Sequence, residues 1–290
     1  MAVTPAQCLL AAAFVYLIQT SEFKLLWLLR VERQFTKSQI QGGGLFLVGL
    51  FSTWLTYMLF FAIDIYGWPA FISKSKLQPS VKATLKMYRK AAPLVLFNGL
   101  VVNSVISYLS TMNPNNPIKT SSAEIPNVPT AIRDLAFCLI FREITFYVGH
   151  VLLHHPSIYK YVHKIHHEFT APMAMASTYA HPLEHIACNI LPVALGPILF
   201  QSHILVAAFF IFNVAIQSAC VHSGYMIPLF DSALSHDFHH MKFNSCFGTT
   251  LGLCDWVFGT GPSELELETL FHARAVTQKS RSPSKKLKEE

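Results

Sequence analysis

The chain has 290 residues, of which 52% are hydrophobic and only 13% charged. That balance excludes an ordinary water-soluble domain and a disordered chain, and it favours one membrane-embedded unit. The net charge of +6 and pI near 9.0 come from basic residues flanking apolar runs, a pattern of cytoplasmic membrane loops rather than of a nucleic-acid surface.

Pro5 to Leu29 form the first apolar segment, interrupted by Gln19 to Lys24. It lacks a basic start and a small-residue cleavage site, so it reads as an anchor or in-plane helix rather than a removed signal peptide. Gly43 to Ile65 has the length that the hydrocarbon thickness demands, about 20 apolar residues. The loop after it carries Lys74, Lys76, Lys82, Lys86, Arg89 and Lys90. A second span is predicted from Ala91 to Met112. The next loop, Asn113 to Pro129, has one basic residue, Lys119. This bias places Lys74–Lys90 in the cytoplasm and Asn113–Pro129 in the lumen.

A third span runs from Ala131 into His150 and carries Arg142 and Glu143. Ionisable residues inside such a helix are costly and face the protein interior. If the helix crosses, His150 emerges on the side of Lys74–Lys90. Ile186 to Phe200 and Ile204 to Val221 form a further apolar pair, readable as two crossings, a re-entrant hairpin or an interfacial pair. The tail from Thr277 has no apolar period and is expected to be disordered. The division predicted is residues 1–130 as anchor helices, 131–262 as the catalytic unit and 263–290 as the tail.

Histidine spacing carries the chemistry. His150 and His154 stand four apart, and His163, His166 and His167 stand at i, i+3 and i+4, as do His236, His239 and His240. On a helix each set falls on one face. Chance would place His-x-x-His-His here about 0.03 times, and it occurs twice. Eight unsatisfied buried imidazoles would cost about 1–3 kcal/mol each, more than a domain's whole stability of ~5–15 kcal/mol. Eight nitrogens exceed one four-coordinate zinc and suit two ions; iron, zinc, copper or nickel all fit the ligand type. The competing reading of any one box is a polar helix end.

His181 and His185 form another i,i+4 pair, and His222 begins a turn at a helix end; these three are candidates for extra ligands or for hydrogen bonding behind the ligands. His155 lies off the face of His150 and His154, and His203 and His272 are isolated. Glu143, Glu168, Glu184 and Asp237 adjoin the boxes and are candidates for orienting the ligand rings and offsetting the metal charge. The cysteines contain no Cys-x-x-Cys and read as small core residues. No His-Glu-x-x-His, Gly-x-Gly-x-x-Gly, phosphate loop or Gly-x-Ser-x-Gly occurs, so no nucleotide-cofactor residues are assigned and a zinc protease or serine hydrolase is disfavoured.

With these boxes in an apolar chain, the sequence resembles the fatty acid hydroxylase/sterol desaturase superfamily. His150 to Thr260 is most similar to sterol 4-methyl oxidases and fatty acid hydroxylase domain-containing proteins, through His163-Lys-Ile-His-His-Glu-Phe, Tyr179-Ala-His-Pro-Leu-Glu, His222-Ser-Gly-Tyr, His236-Asp-Phe-His-His and Phe258-Gly-Thr. An upstream acidic pair of some members is here Arg142-Glu143. The resemblance implies an all-α polytopic membrane enzyme with a cytoplasm-facing, His-rich di-metal domain in the endoplasmic reticulum. It implies two iron ions (zinc as a substitute) held by the eight box histidines. O₂ would be the oxidant, and NAD(P)H would supply electrons through a b-type cytochrome and its reductase. The implied reaction is hydroxylation of a sterol, in the manner of a 4-methyl oxidase; an acyl or sphingolipid hydroxylase or desaturase is the alternative. A zinc-binding membrane protein or transporter is the alternative of another class. Lys286 to Glu290 resembles a Lys-x-Lys-x-x retrieval signal, which must be cytoplasmic. The segment Pro172–Thr178 and the Ile186–Phe200 hairpin are expected to form a lid or cavity wall.

Overall fold

The computed structural model describes residues 4–79, 81–227, 233–249, 251–263 and 266; the expected tail disorder, the retrieval signal and His272 lie outside them. The described residues form helices and connecting turns with no strand. We label the main helices α1 (Pro5–Gln19), α2 (Ser21–Glu32), α3 (Gln39–Tyr66), α4 (Leu85–Thr111), α5 (Val128–Leu153), α6 (Pro182–Leu199), α7 (Ile204–His222), α8 (Leu234–Lys242) and α9 (Leu253–Phe258).

Helices α3 to α7 are each long and apolar enough to cross a membrane, and α1 with α2 makes a sixth candidate bent by 75°. The bend has a local cause. Thr4 caps α1 by accepting from the Gln7 amide, and Pro5 suits its first turn. At Thr20 the backbone turns extended and its hydroxyl starts α2 by accepting from the Phe23 amide. The apolar pair at 186–221 is therefore two helices of span length, α6 and α7. Helix α4 begins six residues before Ala91. Thr84 caps it, and Lys86, Arg89 and Lys90 occupy its polar entry turns.

Helix α3 packs along α7, and α5 along α6. On α3, Ser52, Thr56, Tyr57, Phe60 and Ile63 face inward at helical spacing, while Leu47, Phe51, Leu55 and Leu59 are exposed to the surroundings a bilayer would fill. The irregular segment between α5 and α6 is core. Met173, Ala174, Met175 and Ala176 are buried, and Tyr57 and Asn98 pin the segment through Ser177, Thr178 and Ala180. Pro172–Thr178 is therefore packed core rather than a lid, and only its last two residues, Ser177 and Thr178, form cavity wall. The basic loop lies at the same end of the bundle as the histidines, where Lys76 contacts the turn after His222.

Candidate metal centre

The box histidines and His222 come from four places. His150 lies in the last turn of α5, and His154 is the residue that closes it. His163, His166 and His167 lie on a 3₁₀ helix, His163–Glu168, rather than the α-helix that the spacing suggested. His222 is the last residue of α7, and His236, His239 and His240 ride on α8. Two groups result. His150, His154, His163, His167 and His239 offer five ring nitrogens, and His166, His222, His236 and His240 offer four. Within each group the donor atoms all lie within 4.8 Å of one another.

Hydrogen bonding among the rings cannot account for this packing. His166 Nδ1 donates to the Tyr179 carbonyl at 3.3 Å, and His222 Nδ1 to the Ser218 carbonyl at 2.7 Å. A neutral imidazole has one N–H, so both Nε2 atoms carry lone pairs, and they face each other at 3.3 Å. Burial pushes His166 down to about 4, so its ring is neutral at ordinary pH. In the other group the Nε2 atoms of His154, His163 and His167 form a triangle with sides of 3.0, 3.0 and 3.3 Å. Each atom is either a donor or an acceptor, so at least one side joins like with like.

A cation inside each group resolves both conflicts. Metal–nitrogen bonds of about 2.0–2.1 Å set neighbouring nitrogens roughly 2.9–3.4 Å apart, for ligand angles from about 90° to tetrahedral. The shortest Nε2 separations, from 2.7 Å for His222–His236 to 3.3 Å for His166–His222, lie in or just below that range, and all donor pairs in a group lie within 4.8 Å. Burial also holds the other rings outside the spans uncharged. His154 and His239 fall to about 3, and His163, His167, His236 and His240 are driven well below the usual range, with neighbouring rings adding to the effect. The donor set is thus neutral, lone-pair-bearing and preassembled.

Backbone carbonyls aim four of the nine rings. Besides Tyr179 and Ser218, Phe247 accepts from His150 Nδ1 at 2.8 Å and Ser245 from His239 Nδ1 at 2.7 Å. Of the four acids singled out, Glu184 reaches a ring directly, with Oε1 2.8 Å from His163 Nδ1. Glu143 touches no ring in these contacts. It accepts from the amides of Thr249 and Cys254 and from the Thr249 hydroxyl, fixing the loop that carries Phe247. Glu168 pairs with Lys90 and accepts from the hydroxyl of Tyr179, the residue whose carbonyl holds His166. Asp237 accepts from Gln78 and is pushed up to about 6 by burial.

Several histidines stand apart from both groups. His181 caps α6 by accepting from the Leu183 amide, His155 does the same for Ser157, and His203 for Leu205. His185 bonds to Asn103 and Asn189. Sequence reading missed Lys76, whose ammonium donates to the Ser223 carbonyl at 2.7 Å and sits over the Tyr225 ring; it registered only as loop charge. The carbonyl acceptors have no side-chain signal at all.

Two cavities meet at the site, and the smaller reaches the rings. One, about 270 Å³, is lined by His150, His163, His166, His222 and His236. The other, about 340 Å³, runs between α3, α4, α6 and α7 and is walled by residues such as Leu45, Leu50, Ile106 and Val214. The larger falls within the usual size of small-molecule sites, about 300–1,000 Å³, and the smaller just below it.

A family model for fatty acid hydroxylases matches residues 135–260. Fatty acid hydroxylase ahd1 of Mycosarcoma maydis is 40% identical over 203 residues, which cover 70% of this chain and 53% of that protein. This chain therefore spans about half of that relative's length. The human fatty acid hydroxylase domain-containing protein 2 is 34% identical, with 81% and 72% covered. Methylsterol monooxygenase 1 of Gallus gallus is 31% identical, with 82% of each covered. No solved structure matches the chain.

Proposed function

The chain belongs to the fatty acid hydroxylase family, and from that premise we propose that it is a membrane oxygenase that hydroxylates a C–H bond of a lipid at a centre of two iron ions. The observation that carries this reading is the pair of neutral imidazole groups with lone pairs converging on two points beside an apolar cavity. His150, His154, His163, His167 and His239 hold one ion, and His166, His222, His236 and His240 the other. Iron so held supplies the activation of O₂. The overall balance is R–H + O₂ + 2 e⁻ + 2 H⁺ giving R–OH + H₂O. The electrons come from NAD(P)H through a b-type cytochrome and its reductase, and the setting is the endoplasmic reticulum membrane with the His chamber facing the cytoplasm.

The chain's own residues bind, aim and exclude. The carbonyls of Phe247, Ser245, Tyr179 and Ser218 take the Nδ1 protons and turn the Nε2 lone pairs inward. Phe146 and Cys188 add apolar surface to the approach to the chamber, beside the polar groups that line it. The carbon to be oxidised enters from the larger cavity, whose walls belong to helices of span length.

A sterol substrate is supported by the methylsterol monooxygenase relative, matched over most of both chains. An acyl substrate is supported by the higher identity to a fatty acid hydroxylase. Lipid profiles of cells lacking the protein separate the two readings when compared with cells restored by wild type or by His166→Ala. Accumulated 4-methylsterols relieved by wild type alone support the first, and a loss of hydroxylated acyl chains supports the second. Tightly held zinc without O₂ consumption by the purified protein would overturn both.

A further inference from the structure

The two cavities meet at a polar collar deep in the helix bundle. Arg142, Phe146, Ser177, Cys188, Asn189 and Ser218 line both of them. Arg142 precedes His150 by eight residues, which places it roughly 12 Å further into the bundle along α5. Its Nη1 donates to Gln217 Oε1 at 2.6 Å, and both residues are buried to 8% exposure. Asn189 donates to the Ser177 carbonyl at 3.2 Å and meets His185 Nδ1 at 3.0 Å, and His185 Nε2 meets Asn103 Oδ1 at 2.9 Å. A wide turn of helix at His185–Ile190 brings His185, Cys188 and Asn189 to this level. Ser177 apart, this belt of amides, hydroxyls and one guanidinium lies inside segments of span length, where polar groups are costly and mark binding sites.

We propose that the collar binds the oxygen-bearing end of an amphipathic lipid, a hydroxyl or carboxyl group. The hydrocarbon body fills the larger cavity, and the carbon beside the bound oxygen is the one held nearest the His chamber. The proposal rests on the oxygenase reading for what happens to that carbon, but the binding claim stands by itself. Three observations carry it. The guanidinium is a planar fork of five N–H donors and accepts nothing, so it selects an acceptor oxygen. The body of the larger cavity is walled by Leu45, Leu50, Ile106 and Val214, which match hydrocarbon. The collar sits between that wall and the rings, so an oxygen bound there lies between the lipid body and the chamber. A lipid so held is oxidised toward its polar end, and a plain hydrocarbon of the same shape has nothing to match the collar.

The test uses the full-length, metal-loaded protein in nanodiscs. Equilibrium binding is measured for cholestanol against cholestane, and for stearic acid against octadecane. The collar predicts that at least one oxygenated member binds about ten- to a hundred-fold tighter than its hydrocarbon partner, the scale of a hydrogen bond to a charged group. The pair that discriminates identifies the source of the oxygen. Arg142→Leu removes the discrimination while metal per chain is unchanged, and Arg142→Lys restores part of it. Equal binding of both members in both pairs by wild type overturns the proposal, as does discrimination that survives Arg142→Leu. Discrimination without incorporation of oxygen from O₂ supports the collar and overturns the oxygenase reading. Equal hydroxylation of cholestane and cholestanol does the reverse.

Discussion

The ammonium of Lys76 donates to the carbonyl of Ser223, the residue immediately after His222, at 2.7 Å. Lys76 comes from the loop after α3, outside the stretch matched by the family model, yet it is tied into the second imidazole group. Leu77 and Met226 add backbone hydrogen bonds between the loop and the turn. Asp64 lies 3.6 Å from Lys76 and accepts from the hydroxyls of Tyr88 and Tyr225. Gln78 donates to Asp237 on α8. The loop therefore straps the turn of His222 to the helix of His236 and His240.

Lys76→Met is expected to leave Asp64 buried without its cation, at a cost of about 3–5 kcal/mol. The account predicts a loss confined first to the second group, so metal per chain falls from two toward one. Elemental analysis of purified protein, with thermal unfolding alongside, measures both effects. Retention of two ions per chain would show that the strap does not position this group.

Glu184→Gln keeps the shape of the side chain beside His163 and removes its charge. Loss of such a partner behind a ligand typically weakens metal binding about 10–100-fold. Competition with a chelator should show this weakening for one ion of the pair and leave the other at wild-type affinity. Equal weakening of both ions, or of neither, contradicts the assignment of His163 to the first group.

Position 248 leaves no space for a side chain. A Cβ on Gly248 would stand 2.8 Å from Asp255 Oδ2 and 3.0 Å from Glu143 Oε1. Asp255 accepts from the amides of Phe247 and Gly248, so it and Glu143 hold the loop from two sides. Gly248→Ala is expected to destabilise the protein by about 1–3 kcal/mol through overpacking and to shift the carbonyl that aims His150. Chemical denaturation and metal content report the two effects, and an unaltered midpoint would count against them.

Chelation should lower the unfolding temperature reversibly. Ligands present at 1,000 times their dissociation constant stabilise by roughly 4 kcal/mol, and removing the ions leaves the lone pairs of His166 and His222 opposed. Re-addition of ferrous iron should restore the transition, whereas a transition insensitive to chelator would argue that the rings pack without an ion.

The histidine boxes and the apolar spans were legible because both are repeated chemistry at fixed spacing. The eight box histidines fall into the two groups, but the ninth member, His222, carries no partner at helical spacing and is brought in by the end of α7. His181 and His185 had the spacing of a ligand pair, yet Pro182 starts a helix between them: His181 caps it, and His185 turns toward Asn103. Spacing predicts which rings share a face, not what that face meets. Glu143 was legible as an inward acid but not as a clamp on a loop more than a hundred residues away. The strap at Lys76 was invisible for the same reason: only the fold brings it to Ser223.

Metal per chain in iron-reconstituted protein, measured for wild type, His163→Ala and His222→Ala, tests the central claim most directly. Two ions in wild type and loss of one in each variant, with the remaining ion in a nitrogen-rich shell by X-ray absorption, is the predicted result. Wild-type protein that retains no metal, or variants that still bind two ions, would contradict it.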